Sequence, residues 1–299
     1  IAGNLKGFIF WQYRPEILGR EAPTWGLTTL DGEKTSWLQD FARVGQVLQK
    51  NADFLLEAQP QSAEIAISYN PENQIFIWAA TGNEKNATNS LLGAHKALYE
   101  HNYNIDFVHP IEIDEKLLSR YKVLIFPFPY LIDQRICHLL EDWVKKGGLL
   151  IGESYFAAWN RENGHHEKIV PGHGLHKIFK ARQGVVDPVN TNDLVDILVD
   201  SDVLDNEEEI VVKGAIVQER LISEGAKVIG YFPDGSPAVT LAELGLGKAV
   251  LIGSYIALPF YNKGIQANGD FLAGLIKKYA NISTNYCDSL GQIRVDLLK

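Results

Sequence analysis

The residues with the most chemistry to offer sit near the start of the chain. Trp11, Gln12, Tyr13, Arg14, Glu16, Arg20, Glu21 and Trp25 crowd aromatic rings, carboxylates and guanidinium groups into one short stretch. Rings of this kind stack on the apolar face of a pyranose, while Glu and Arg make directed hydrogen bonds to hydroxyls. The mixture therefore suits carbohydrate, although a salt-bridged loop around two core tryptophans uses the same residues. Carboxylates in the loop after a strand are also where β/α barrels keep their chemistry.

Three other groups carry weaker signals. His165, His166, His173 and His176 fall close together and have the ligand types for zinc, copper or nickel. Their glycine-rich spacing lacks a helical HExxH, so no metal site is expected. Gly152-Glu153-Ser154-Tyr155 follows a strand, where doubly wound domains place their sites. Neither GxSxG nor GxCxG is met there, so a structural or degenerate use is expected. Gly245-Leu246-Gly247-Lys248 precedes a strand, which makes it a hairpin turn. No GxGxxG or GxxxxGK[ST] opens a helix, and no cofactor is expected.

The elements that hold these groups follow from hydrophobic periodicity. Gly7 to Tyr13 reads as a buried strand, then a Pro- and Gly-rich loop to Thr35, then one helix from Ser36 to about Ala58. A short polar linker, Gln59 to Ser62, precedes a second pattern of alternating strands and helices. Strands are expected at Ile65 to Tyr69, Ile105 to His109, Tyr121 to Phe126 and Leu149 to Gly152. Helices are expected at Asn86 to Asn102, Ile113 to Ser119 and Asp133 to Lys146. After a polar excursion to Gly184 come strand candidates at 209–212, 227–231, 237–241 and 248–253, a helix over 266–279, and a strand-like 292–295. Such alternation predicts a doubly wound α/β domain.

Composition bounds the function. The 299 residues are 46% hydrophobic and 22% charged, ordinary for a globular protein that buries a core without disulfides. A net charge of −9 disfavours nucleic acid, whose phosphates need a concentrated basic face. The sequence has no apolar run of the roughly 18 residues that span a membrane, so no membrane partner is expected. The start has no cationic-then-apolar pattern, and a cytoplasmic location is expected. Cys137 and Cys287 are too few and too distant for a disulfide framework or metal site. There is no methionine, so the chain reads as a cut or processed piece, or as one whose methionines were lost when the sequence was written out.

Lys6-Gly7-Phe8-Ile9-Phe10-Trp11-Gln12-Tyr13-Arg14-Pro15-Glu16, then Leu18-Gly19-Arg20-Glu21-Ala22-Pro23, resembles the last barrel strand and loop of family 42 glycoside hydrolases, the β-galactosidases. Val123-Leu124-Ile125-Phe126-Pro127, Val144-Lys145-Lys146-Gly147-Gly148 and the Gly245 to Gly253 return resemble that family's trimerisation domain. The resemblance implies three parts. Residues 1–58 would end a (β/α)8 barrel, 59–282 would be a glutamine-amidotransferase-like (flavodoxin-like) domain, and 283–299 would begin a C-terminal β-domain. It also implies retaining hydrolysis of terminal β-D-galactosides in the complete enzyme and a homo-oligomer, a trimer. Glu21 would bind the galactosyl unit, Trp11 and Trp25 would line the pocket, and Arg14 would orient the loop. Thr24 stands where some members have histidine, which puts one sugar contact in doubt.

The resemblance also predicts an absence. Retaining glycosidases use two carboxyls roughly 5 Å apart. In the family both are glutamates on earlier barrel strands, so no catalytic residue is expected in this chain. Two other readings stay open: a sugar-binding or regulatory module, and an amidotransferase-like hydrolase using Glu153 or Ser154.

Overall fold

The computed structural model describes residue 7, residues 9–190, 192–203 and 210–282, and residue 284. They divide into two compact units, one up to Gln61 and one from Ser62 onward. The strand-like stretch at 292–295, Cys287 and nearly all of 283–299 lie outside the described residues.

The first unit carries two helices, α1 (Ser36–Lys50) and α2 (Ala52–Glu57). Thr35 caps α1, its hydroxyl accepting from Leu38 N–H at 3.2 Å. The single helix expected over Ser36 to Ala58 is thus broken at Asn51. There the side-chain amide donates to Val47 O at 2.7 Å, offering the backbone an alternative to helical continuation. Gly7 to Tyr13 is not a strand among its described residues. Apolar alternation alone does not make a strand, which needs a ladder partner. Gln12 instead exchanges backbone bonds with Trp25 and Leu27 in its own loop.

The second unit runs β1 (Ile65–Ser68), α3 (Pro71–Thr81), α4 (Lys85–Glu100), β2 (Ile105–Val108), α5 (Glu115–Leu118), β3 (Val123–Phe126), α6 (Gln134–Lys145) and β4 (Leu149–Gly152). It continues with α7 (His176–Phe179), β5 (Ala181–Pro188), β6 (Val195–Val199), β7 (Ile210–Gly214), β8 (Val217–Ser223), β9 (Lys227–Tyr231), β10 (Pro237–Leu244) and β11 (Gly247–Ile252). Two helices, α8 (Ala257–Lys263) and α9 (Gln266–Ala280), close it.

The main sheet is mixed, in the order β2-β1-β3-β4-β11-β10-β9-β6-β7. Strands β2, β1, β3, β4 and β11 pair in parallel, while β10, β9, β6 and β7 pair antiparallel. A separate antiparallel ladder joins β5 and β8. The β10–β11 hairpin turns at Gly245, whose φ of +61° suits the left-handed region.

The parallel strands are continuous apolar runs because both of their faces are buried. Side chains alternate between two cores, as the two-residue period requires. Ile65, Ile67, Val123, Ile125, Leu149, Ile151, Val250 and Ile252 pack on one face with α4, α8 and α9. Ala66, Leu124, Phe126, Leu150, Ala249 and Leu251 pack on the other with α6 and α7. Burying each such Ile, Leu or Val contributes about 1.5–3 kcal/mol relative to exposure.

Helix α6 shows how closely its end is fitted. It stops at Lys145, two residues before Gly147, whose φ is +118°. At Gly148 a Cβ would lie 2.5 Å from the Trp143 ring. That ring is fixed in turn by its indole N–H, which donates to Leu118 O at 3.0 Å. Among the described residues no helix is long and apolar enough to cross a membrane.

Candidate functional site

Two places concentrate functional side chains. The first is the loop of the first unit. Gln12 N–H donates to Trp25 O at 2.9 Å, Leu27 N–H to Gln12 O at 3.0 Å, and Thr28 N–H to Tyr13 O at 3.0 Å. These bonds lay residues 12–13 beside 25–28, and Gly26 permits the approach: a Cβ there would sit 2.3 Å from Pro15 Cδ. Between the two arms, Thr24 closes on Glu21, its N–H and hydroxyl both donating to Glu21 O, at 2.7 and 2.5 Å. Arg14 Nε donates to Leu30 O at 3.2 Å, tying the loop to the residues before α1.

Trp11, Arg14, Glu21 and Trp25 are all exposed. Trp25 holds a φ of +69°, a conformation rare for a bulky side chain. It lines an open concavity of about 940 Å³ with Thr24, Asp31 and Trp37. Trp11, Arg14 and Glu21 do not line it, so the structure brings only Trp25 of the four expected site residues to this wall. Trp37 escaped the sequence reading because it falls at the start of an amphipathic helix, where an aromatic residue is assigned to packing.

The second place is the carboxyl end of β4. Glu153 is 3% exposed, and four donors converge on its carboxylate. Ser90 Oγ donates at 2.8 Å, and the N–H groups of Phe128, Ile256 and Ala257 donate at 3.1, 2.9 and 3.0 Å. Burial pushes this carboxyl above the usual range, and the four donors hold it back. A second glutamate, Glu219 on β8, is 1% exposed; it accepts from the Ser154 hydroxyl and from Tyr155 N–H, the latter at 2.9 Å. Burial raises it too. Ser154 is fully buried, so its hydroxyl meets Glu219 and no solvent. Glu153 and Glu219 thus clamp the carboxyl edge of the sheet to α4, α8 and the β4 loop, which is a structural use. No local pattern points to Glu219, which lies far along the chain in an alternating strand.

His165, His166, His173 and His176 do line one concavity, of about 440 Å³, with Glu167. Among the described residues no group of three or more His, Cys, Asp or Glu is placed to hold a metal ion. Burial pushes the Cys137 thiol up to about 12.

Comparison with known proteins decides the family. The model of the β-galactosidase trimerisation domain of family 42 glycoside hydrolases matches residues 63–284. The chain belongs to this family. Curated relatives within the family include the β-galactosidase LacZ of Heyndrickxia coagulans, 24% identical over 93% of this chain and 39% of that protein. Another is the β-galactosidase GanA of Bacillus subtilis, 26% identical over 92% of this chain and 39% of its own length. The chain thus spans about two fifths of the length of these family members. Among solved structures, a β-galactosidase from Bacillus circulans sp. alkalophilus superposes with a TM-score of 0.74 at 23% identity, covering 91% of this chain and 38% of that one. Gan42B, a family 42 β-galactosidase from G. stearothermophilus, gives 0.71 at 22% identity, again over 91% and 38%. At that identity the structural likeness carries the fold.

Proposed function

We propose that this chain is the assembly portion of a family 42 β-galactosidase, together with part of its sugar-binding loop. The observation that carries the reading is the trimerisation-domain match over 63–284. In this account residues 1–58 end the catalytic barrel, 59–282 form the trimerisation domain, and 283–299 begin a C-terminal β-domain. A flavodoxin-like, amidotransferase-like core is supported by the parallel strands in the order β2-β1-β3-β4-β11, which follows the 2-1-3-4-5 pattern with helices on both faces.

In the complete enzyme the reaction is retaining hydrolysis of terminal β-D-galactosides. Glu21 binds a sugar hydroxyl, Trp11 and Trp25 give stacking faces, and Arg14 holds the loop through its bond to Leu30 O. The exposure of all four side chains supports a binding use over a packing one. The chain alone supplies neither catalytic carboxyl. Its glutamates at the sheet edge, Glu153 and Glu219, are buried and already bonded. The alternative use of Ser154 as a nucleophile has no support in that closed geometry.

Sedimentation equilibrium tests the assembly reading. A particle of three copies of the 33.4 kDa chain is expected. A single-chain mass across the micromolar range would overturn it.

A further inference from the structure

Helix α3 carries large apolar residues on its outer side as well as its inner one. Its inner side carries both Ile77 and a polar residue: Asn73 is buried, its amide donating to Phe128 O at 2.8 Å and its carbonyl accepting from Leu131 N–H at 2.8 Å. Asn70 caps the helix, accepting from Glu72 N–H at 3.1 Å, and anchors it by donating to Leu131 O at 3.1 Å. Gly82 ends it in the left-handed conformation, φ +72°. Apolar residues also face outward. Ile75 is 65% exposed and Trp78 is 58% exposed, one turn apart, with Ala79 exposed beside them. Phe76 continues the patch to Trp159, 5.9 Å between ring centroids, and Trp159 contacts His166 at 4.9 Å. A helix apolar on both sides belongs in an interior or an interface.

We propose that the outward stripe of α3, Ile75, Trp78 and Ala79 with Phe76 at its flank, is the surface on which a second copy of this chain seats. The proposal rests on the self-association reading above and assigns its face. Charge favours a copy of the same chain at this place. Each copy carries −9, so contacts between identical chains must avoid acidic surface. The run Asn73-Gln74-Ile75-Phe76-Ile77-Trp78-Ala79-Ala80-Thr81-Gly82-Asn83 holds no charged residue. The rim is polar and already neutralised: Arg161 pairs with Glu72 at 2.7 Å and with Asp133 at 3.4 Å. An apolar centre holding a tryptophan within a polar rim is the usual anatomy of an interface. The caps and the Asn73 bonds hold Trp78 on a fixed helix, which lowers the entropy lost on docking. The whole of α3 lies within the matched trimerisation domain.

Light scattering on the eluting chain tests the face. Wild type, Trp78→Ala and Ile75→Lys/Trp78→Lys are compared at equal concentration, with far-UV circular dichroism as the folding check. Trp78→Ala is expected to weaken association by roughly 30-fold or more, the size of a buried tryptophan anchor. The double variant is expected to elute as a single folded chain. If wild type is oligomeric and Trp78→Ala keeps its full association constant, the face is wrong while self-association stands. If wild type is itself a single chain, both fail. Should the double variant unfold, Trp78→Ala decides alone, since alanine at an exposed helical position costs the fold little.

Discussion

Glu153 offers the most exacting stability test. In the Glu153→Ala variant the buried N–H groups of Phe128, Ile256 and Ala257 lose their acceptor, as does the Ser90 hydroxyl. Ser90 can rotate to another partner, but the three amides cannot. Each orphaned amide costs about 1–3 kcal/mol. Water entering the vacated space recovers part of this, which brings the sum to about 5 kcal/mol. With a urea slope of about 3 kcal/mol per molar, the midpoint falls by about 1.7 M. Glu153→Gln is milder. Its oxygen can keep the Ile256 and Ala257 bonds, while its amide nitrogen faces the Phe128 donor. One orphan at about 2 kcal/mol corresponds to about 0.7 M. Urea titration followed by circular dichroism gives both values. An alanine variant within about 0.3 M of wild type, or a glutamine variant less stable than the alanine one, refutes the clamp; these thresholds scale from the same slope.

Three further outcomes follow from the same packing. A Cβ on Gly93 would lie 2.0 Å from Ala257 O and 2.8 Å from its carbonyl carbon, so Gly93→Ala should force α4 from α8 and cost about 2–3 kcal/mol; an unshifted melting temperature contradicts this. Burial raises the Glu153 and Glu219 carboxyls above their ordinary 4.5, so the folded state binds these protons more tightly than the unfolded one. Their contribution to stability is full below the unfolded value and is lost as pH rises through the folded values. The urea midpoint of Glu153→Gln should therefore vary less with pH than that of wild type, and an identical slope would count against the burial argument. Cys137, with its thiol pushed up to about 12, should resist iodoacetamide at pH 8 until the protein is denatured. Peptide mapping that finds Cys137 labelled in the native protein would contradict that.

The parts of the fold that could be read from sequence are those where one rule dominates. Strand β4 came out at Leu149 to Gly152, as expected, because a fully buried parallel strand is an unbroken apolar run closed by glycines. Helix α6 was legible because Asp133 caps it and glycines end it. Helix α3 was not, since Ile75-Phe76-Ile77-Trp78-Ala79-Ala80 has no polar face and hence no helical period. Strands β5, β6 and β8 were hidden by half-exposed side chains; β6 belongs to the antiparallel half of the main sheet, while β5 and β8 form the separate ladder. The Gly7 to Tyr13 expectation failed because an extended apolar segment is only half of a ladder. At the loop, residue types pointed to Trp11, Arg14, Glu21 and Trp25, but which of them shares a wall with Trp37 depends on the chain reversal at Gly26. The Ser154–Glu219 bond was illegible for the same reason: it is made by tertiary pairing.

In the reading proposed above, this chain assembles and helps hold sugar, and the cleaving carboxyls belong to the complete enzyme. The measurement that addresses it most directly is hydrolysis of a nitrophenyl β-galactoside by the purified chain, with Glu21→Ala as control. No turnover above background is expected in either protein. Turnover by the wild-type chain that disappears in Glu21→Ala would contradict it, and would place a working pair of carboxyls within these residues.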